Sequence, residues 1–376
     1  MFIINLFRIK QMKSFIAAIA ASCAFADEVS DKFWAFENKV ANGFASIQVT
    51  EDGVTKTKYV SSGGSTSNDW SIEENHRGYI FDTDNFDASD PQYYRPNLLG
   101  GVVEYDINLS NQDCGCVSAF YTVLAPAKDW NGNVWADTDG FAYCDANKIV
   151  GSWCPEFDIM EGNKWVWATT PHKCDAPNDK GYYSNCDTGG TCHNNSAEGF
   201  DYNVYGPGSQ YTINTDNEFH VKISFDTDSS GSFQSYTTTL SQGSQVFSMT
   251  SGDCGYYLSN MNSNLSNGMT FVLSHWYSDD GIDWLQHGRC SGQCNKQGLA
   301  VSNITITTGS GEPGPDPPVP TPPYDPSDYS YGDPCSSVQD DLCPAASCPS
   351  VDHCRWSWPH DQDWSGPDAH CRCDIV

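Results

Sequence analysis

The sequence predicts an all-β fold: a β-jelly-roll sandwich of two curved antiparallel sheets with a concave groove, followed by a small disulfide-rich C-terminal module. Three observations carry this expectation. Apolar residues recur with period two in Val102–Leu109, Val117–Leu124, Phe219–Phe225, Met269–Leu273 and Val301–Ile306, all rich in β-branched and aromatic side chains. Clusters of Gly, Asn, Asp and Ser separate these runs, and no segment keeps helical spacing with caps over about ten residues. Aromatics reach 13% against 18% charged residues, which suits a loop-rich globular protein and not a disordered one. A curved sandwich presents a long concave face, better matched to an extended polymer than to a small metabolite.

The 376 residues divide by composition. Lys13, the apolar run Phe15–Ala21 and the small-x-small sequence Ala24-Phe25-Ala26 read as a secretory signal over residues 1–26, with Met12 the expected start. The run is too short to span a bilayer, so export to the extracellular space is expected. Seventeen cysteines agree, since disulfides persist in oxidising compartments. With Cys23 removed, ten lie before a Pro-rich stretch and six after it, so each part is expected to close its own bridges, with partners undetermined. Residues 27–308 make one large domain. Residues 309–334 hold nine of the twenty prolines and read as a semi-rigid linker. Residues 335–376 are too few to bury much surface without their disulfides, and Trp356, Trp358 and Trp364 cannot all find cover there. Exposed indoles on that scaffold suggest carbohydrate binding, with protein binding or a structural cap as alternatives. Sequons at Asn108, Asn194, Asn264 and Asn303 are compatible with glycosylation.

Charge narrows the partners. A formal charge of -29 opposes nucleic acid, anionic lipid and acidic polysaccharide alike, leaving a neutral polar partner; no cofactor or metal is called for, and a monomer is expected.

The chemistry is concentrated in Cys154-Pro-Glu156-Phe-Asp158-Ile-Met-Glu161-Gly-Asn163. Glu156 and Asp158 share one face of a strand, and Phe157 and Ile159 the other. Glu161 stands at an odd offset from Glu156 and would enter the core unless a β-bulge between Asp158 and Glu161 returns it to the open side. Two glutamates roughly 5–5.5 Å apart are what double-displacement glycoside hydrolysis needs: one attacks the anomeric carbon, the other protonates the leaving oxygen. An intervening Asp can orient the nucleophile and help set the charge balance. On spacing alone, a solvated acidic edge or a calcium site stays open.

The segment resembles the E-x-D-x-x-E active-site strand of glycoside hydrolase family 7, the cellobiohydrolases and endoglucanases acting on β-1,4-glucan. The likeness continues in family order: Leu98–Ser110, Cys114-Gly115, Ala119-Phe120-Tyr121, Tyr143-Cys144-Asp145, Thr170–Asp175, Tyr205–Gly208, Ser274–Asp280, Asp283-Trp284-Leu285 and Val301–Ile304, so that it spans about residues 95–308. It implies Glu156 as nucleophile, Asp158 as its supporting acid and Glu161 as general acid/base. It further implies Asp145 and His172 beside them, and Trp276 and Trp284 as platforms on which the apolar faces of sugar rings lie. Trp130, Trp135, Trp165 and Trp167 stay undecided between cleft wall and packing. Three positions depart from the family: Met160 stands for Trp, Gly162 for Ala and His275 for Leu. Residues 27–94 give no alignment. A catalytic part shorter than in tunnel-forming members implies an open groove and cutting within chains.

The resulting expectation is an exported retaining β-1,4-glucanase whose partner is a cellulose-like β-glucan. A β-1,3 or mixed-linkage glucanase, or a glucan-binding wall protein without turnover, are the alternatives.

Overall fold

Residues 44–135, 140–197, 203–278 and 282–310 are described by the structure, a computed structural model; the expected signal and C-terminal module, and all but the start of the linker, lie outside them. The strands, in chain order, are β1 (Ala45–Glu51), β2 (Val54–Val60), β3 (Gly64–Thr66), β4 (Asp69–Ile72), β5 (His76–Phe81), β6 (Val102–Ile107), β7 (Cys116–Val123), β8 (Glu156–Gly162) and β9 (Trp167–His172). There follow β10 (Asn194–Asn195), β11 (Tyr205–Gly206), β12 (Ile213–Asn214), β13 (Phe219–Thr227), β14 (Phe233–Gln242), β15 (Gln245–Thr250), β16 (Thr270–Tyr277) and β17 (Leu299–Thr307). The α-helices among the described residues are short: α1 (Gly255–Leu258), α2 (Asn262–Asn267) and α3 (Asp283–Gln286).

All-β architecture is what the sequence predicts, and all five period-two segments are strands. Their hydrogen bonds run as one continuous path, β10-β9-β8-β7-β16-β5-β2-β1-β17-β6-β13-β14-β15, with β4 on β17 and β3 on β4. Pairing of β2 with β5 through Tyr59–Phe81 and Val60–Ile80 joins the two layers into one curved, nearly closed sheet. The ladders along this path are antiparallel except β1 with β17, which run parallel where Thr50 meets Thr305.

Sequence dictates which layer each strand joins. β13 alternates strictly, with Phe219, Val221, Ile223 and Phe225 buried between more open His220, Lys222, Ser224 and Asp226, as a strand covered on one face must. β7 is buried at all eight positions, because it is covered on both faces. One face of β7 sends Phe120 into the main core, and the other sends Ala119, Tyr121 and Val123 into a second apolar cluster with Tyr79 and Val272. The layers meet through rings: Phe157 of β8 lies 5.0 Å from Phe225 and 5.3 Å from Tyr236, near edge-on.

The ten cysteines among the described residues all pair, as Cys114–Cys290, Cys116–Cys294, Cys144–Cys154, Cys174–Cys186 and Cys192–Cys254. Parity within this part therefore holds, with connectivity now assigned.

Phe157 is fully buried and adjoins two carboxylate-bearing positions. Phe157→Ala is expected to lower unfolding stability by about 3–5 kcal/mol; denaturant unfolding followed by tryptophan fluorescence checks this.

Candidate active site

On β8 the register slips where the sequence requires it. Against β7, Phe120 faces Met160 while Tyr121 faces Asp158, so Ile159 is the extra residue. Against β9, Asp158 faces Thr170 and Glu161 faces Ala168, with the slip between them. Ile159 and Met160 both enter the main core, and alternation resumes with Glu161 on the side of Glu156 and Asp158. Small Ala119 and Ala168 stand directly across from Glu161 on the two neighbouring strands, which keeps its surroundings open. Gly162 has a local reason: a Cβ there would meet the Val166 carbonyl oxygen at 2.7 Å.

Each acidic side chain is held from a different element. The Ala146 N–H donates to Glu156 Oε2 at 3.0 Å from the loop that Cys144–Cys154 closes. Asp145 shapes that loop, its Oδ1 accepting the N–H groups of Asn147 and Ile149 at 3.0 Å each. Asp145 is only 1% exposed, so it acts on the site as a charge beside Glu156 and as a loop brace. His172, at the end of β9, sets Nε2 3.1 Å from Asp158 Oδ2 and Nδ1 2.7 Å from the Asp187 carbonyl oxygen. A carbonyl only accepts, so Nδ1 carries a proton.

The support of His172 extends outward. Asp187 accepts from the N–H of Gly189, from both the N–H and the hydroxyl of Thr191, and from the Tyr257 hydroxyl. Despite partial burial, these bonds bring the Asp187 carboxyl down to about 2. The Tyr257 hydroxyl oxygen also lies 3.1 Å from the Pro171 carbonyl oxygen and accepts from the Lys173 N–H at 3.1 Å, placing α1 against the end of β9. Gly190, at φ +65°, passes so close that a Cβ would meet Thr170 Cγ2 at 2.1 Å and His172 Cε1 at 3.1 Å.

Burial dominates the acid–base chemistry. It lifts the Glu161 carboxyl from 4.5 to about 8, the Asp158 charge adding to the rise and His172 opposing it. Glu156 is likewise pushed well above its ordinary range by burial, then by Asp158 and Asp145, against the pull of His172 and the Ala146 N–H. Asp158 is raised by burial and held back by its bond from His172. Burial disfavours the His172 imidazolium, but the hydrogen bond to and charge of Asp158, with Glu156 adding, outweigh it and lift the ring to about 10. At neutral pH the site therefore holds an imidazolium bonded to Asp158, beside a Glu161 that keeps its proton.

Donor atoms of Glu156, Asp158 and His172 lie within 4.8 Å of one another, the spacing of a cation site. Both His172 nitrogens already have partners, and its imidazolium supplies positive charge there. In the other such group, Cys116 and Cys294 are bonded to each other and offer no thiolate to accompany His275.

The tryptophans divide. Trp276, near the end of β16, is half-buried against an apolar cluster that includes Val117, Ile282 and Ala168, which places it toward the Glu161 end of β8. Trp284 on α3 is 52% exposed. Trp167 is core, ringed by Tyr205 and Phe219; Trp165 packs beside the Trp276 cluster; Trp130 and Trp135 are exposed. His275 is fully buried, its Nδ1 3.3 Å from the Val117 carbonyl oxygen.

Sequence reasoning assigned no role to Arg77, Tyr121 or Tyr143. The Arg77 guanidinium lies 3.5 Å over the Tyr143 ring, and the Tyr143 and Tyr121 hydroxyls are 3.0 Å apart. All three act electrostatically on the Glu156–Asp145 group. Tyr121 could have been found, since β7 register places it directly across from Asp158. Arg77 could not, because it lies where no alignment exists.

Fold and site together define a class: a curved β-sandwich whose inner sheet carries three carboxylates on one bulged strand. Glycosyl hydrolase family 7 is the family whose model matches, over residues 130–257, and the chain is a relative of that family, as its residue pattern implies. Endoglucanase EG-1 of Hypocrea jecorina is 30% identical over 298 residues, covering 69% of this chain and 59% of that protein. The chain thus spans about three fifths of that relative's length. An endoglucanase I solved in complex with cellobiose superposes with a TM-score of 0.57 at 17% identity, over 73% of this chain and 99% of that one. A family 7 cellobiohydrolase from Daphnia pulex gives 0.52 at 17% identity, over 70% and 96%. These structural matches establish the fold.

Two titrations test the electrostatics. Asp158→Asn removes the charge that raises Glu161 and sustains the imidazolium, so Glu161 should fall below 8 and His172 should drop toward 6.5, as read by NMR. In the unaltered protein both groups lie above their unfolded values of 4.5 and 6.5. Each therefore adds stability that is complete below its unfolded value and lost as pH rises through about 8 and about 10, so the melting temperature should fall across that window.

Proposed function

We propose that the chain is a secreted, retaining glycosidase that cuts β-1,4-glucosidic bonds within cellulose or a related β-glucan. The observation that carries this reading is the bulge in β8, which sets Glu156, Asp158 and Glu161 on one face. Glu156, held by the Ala146 N–H, attacks the anomeric carbon and forms a glycosyl ester. Glu161 gives its proton to the departing glycosidic oxygen. A water then loses its proton to Glu161 and adds to the anomeric carbon, which frees Glu156 and retains configuration.

Asp158, fixed by His172, positions Glu156 and raises Glu161, while Asp145 braces the loop that supplies the Ala146 donor. Charge separation helps the order of events. Attack uses Glu156 as the carboxylate, and the positive charge developing at the sugar stabilises that carboxylate in a buried site. Trp276 and Trp284 offer ring faces for neighbouring glucosyl units. Endo action draws support from the endoglucanase relatives, and export from the signal-like N-terminus and the five disulfides. Among the described residues no helix is long and apolar enough to cross a membrane. Carbohydrate binding by residues 335–376 and action as a monomer complete the proposal.

Sugar release from soluble cellulose derivatives, laminarin and lichenan, with viscosity followed beside reducing ends, tests linkage and endo action together. Rapid viscosity loss on β-1,4-glucan is expected. Release from laminarin alone would reassign the linkage, and binding without any turnover would leave a glucan-binding protein. Glu156→Gln and Glu161→Gln should each lower kcat on unactivated glucan by at least about 100-fold. Activity should form a bell in pH, its alkaline limb near 8 where Glu161 loses its proton and its acid limb where Glu156 gains one.

A further inference from the structure

Beyond the end of β7, where residues 124–128 leave the sheet, lies a pocket of about 190 Å³ lined in part by Arg95, Lys128, Trp153, Gly181 and Tyr183. Its volume is that of about six waters at ~30 Å³ each, room for one sugar ring. No Asp or Glu lines it. In a chain with 48 acids and 19 bases, that exclusion runs against composition.

The two cations differ in what they offer. Arg95 donates through Nε to Thr270 Oγ1 at 3.2 Å, while one terminal guanidinium nitrogen is buried with no partner among the described residues. Lys128 makes no salt bridge among the described residues. Its Nζ lies where a Cβ on residue 181 would approach to 3.0 Å, so Gly181 leaves room for the ammonium head. A third cation is close by, since Lys148 Nζ stands 5.8 Å from the centre of the Trp153 ring.

We propose that this pocket binds a carboxylate-bearing sugar, a uronic acid carried as a single substituent on an otherwise neutral glycan. Lys128 holds the carboxylate with its ammonium as a point charge, and the Arg95 guanidinium adds positive charge in the pocket wall. Trp153 and Tyr183 offer ring faces to the apolar side of the sugar. The overall charge of -29 still repels a polyanion. A lone carboxylate differs, because at physiological ionic strength charges beyond about 8 Å are screened and the two nearest cations decide.

The site goes beyond the hydrolytic reading and is tested apart from it. Titration calorimetry of the full chain in about 0.15 M salt would compare glucuronate, glucose and inorganic sulfate. Glucuronate should bind measurably, and both controls more weakly by roughly tenfold or more. Lys128→Gln and Arg95→Gln should each weaken glucuronate by a similar factor, leaving turnover of neutral β-glucan unchanged. Should Arg95→Gln fail to fold, Lys128→Gln decides. Absence of glucuronate binding, glucose binding as well as glucuronate, or a Lys128→Gln variant that binds normally would overturn the proposal; sulfate binding equally would overturn its sugar part.

Discussion

Side chains of a regular strand alternate with period two, so residues 156 and 161 belong on opposite faces and cannot serve one substrate. The extra residue at Ile159 reverses that assignment for everything after it. Much depends on the reversal. Without the bulge, Glu161 would face the core beside Phe157, where a carboxyl has no partner and water no access. With it, Ile159 and Met160 supply two apolar side chains to the core where one would have stood, and three acids line the other side. Core packing and site geometry thus share one backbone irregularity, and each stabilises it: apolar burial pulls Ile159 and Met160 inward while the acids retain their open face.

The next constraint is electrostatic. Three carboxyls on seven residues of one buried strand repel one another, and each also loses hydration. The strand tolerates this by keeping a proton on Glu161 and by borrowing one positive charge, that of His172. Orientation of His172 is over-determined: Asp158 grips one nitrogen, the Asp187 carbonyl the other, and Asp187 is itself fixed by Thr191, Gly189 and Tyr257. The ring cannot turn without losing a charge-assisted bond.

How much of this was legible in the sequence follows from the range of each interaction. Period two, the even cysteine count and the three-acid strand are local patterns, so β6, β7, β13, β16 and β17, the bulge and the grouping of Glu156 with Asp158 could be read directly. Joining of the layers through β2 and β5 could not, because it depends on pairing between segments for which no resemblance was available. Arg77 was hidden for the same reason. The sequence places Asp145 beside the acids but does not show the bonding of its Oδ1 to two backbone N–H groups of its own loop, a turn chemistry open to any Asp and therefore silent about burial. Trp167 and Trp276 look alike in sequence, since Trp serves core and platform equally; only neighbours such as Tyr205 and Phe219 decide between them.

Disulfide placement follows the same logic as the bulge. Cys154 is two residues before Glu156, Cys174 two after His172, and Cys192 two after Gly190. These bridges lie where irregular loops adjoin the sheet, and Cys192 packs into the main core while Cys144 and Cys154 pack into the second apolar cluster. Loops are the least ordered part of a sandwich, yet here they supply the Ala146 N–H, the Asp187 carbonyl and the close approach of Gly190. Cross-linking them narrows the conformations in which those groups could miss their targets. The strand aims the acids, and the bridged loops hold in place the donors and acceptors that set their protonation.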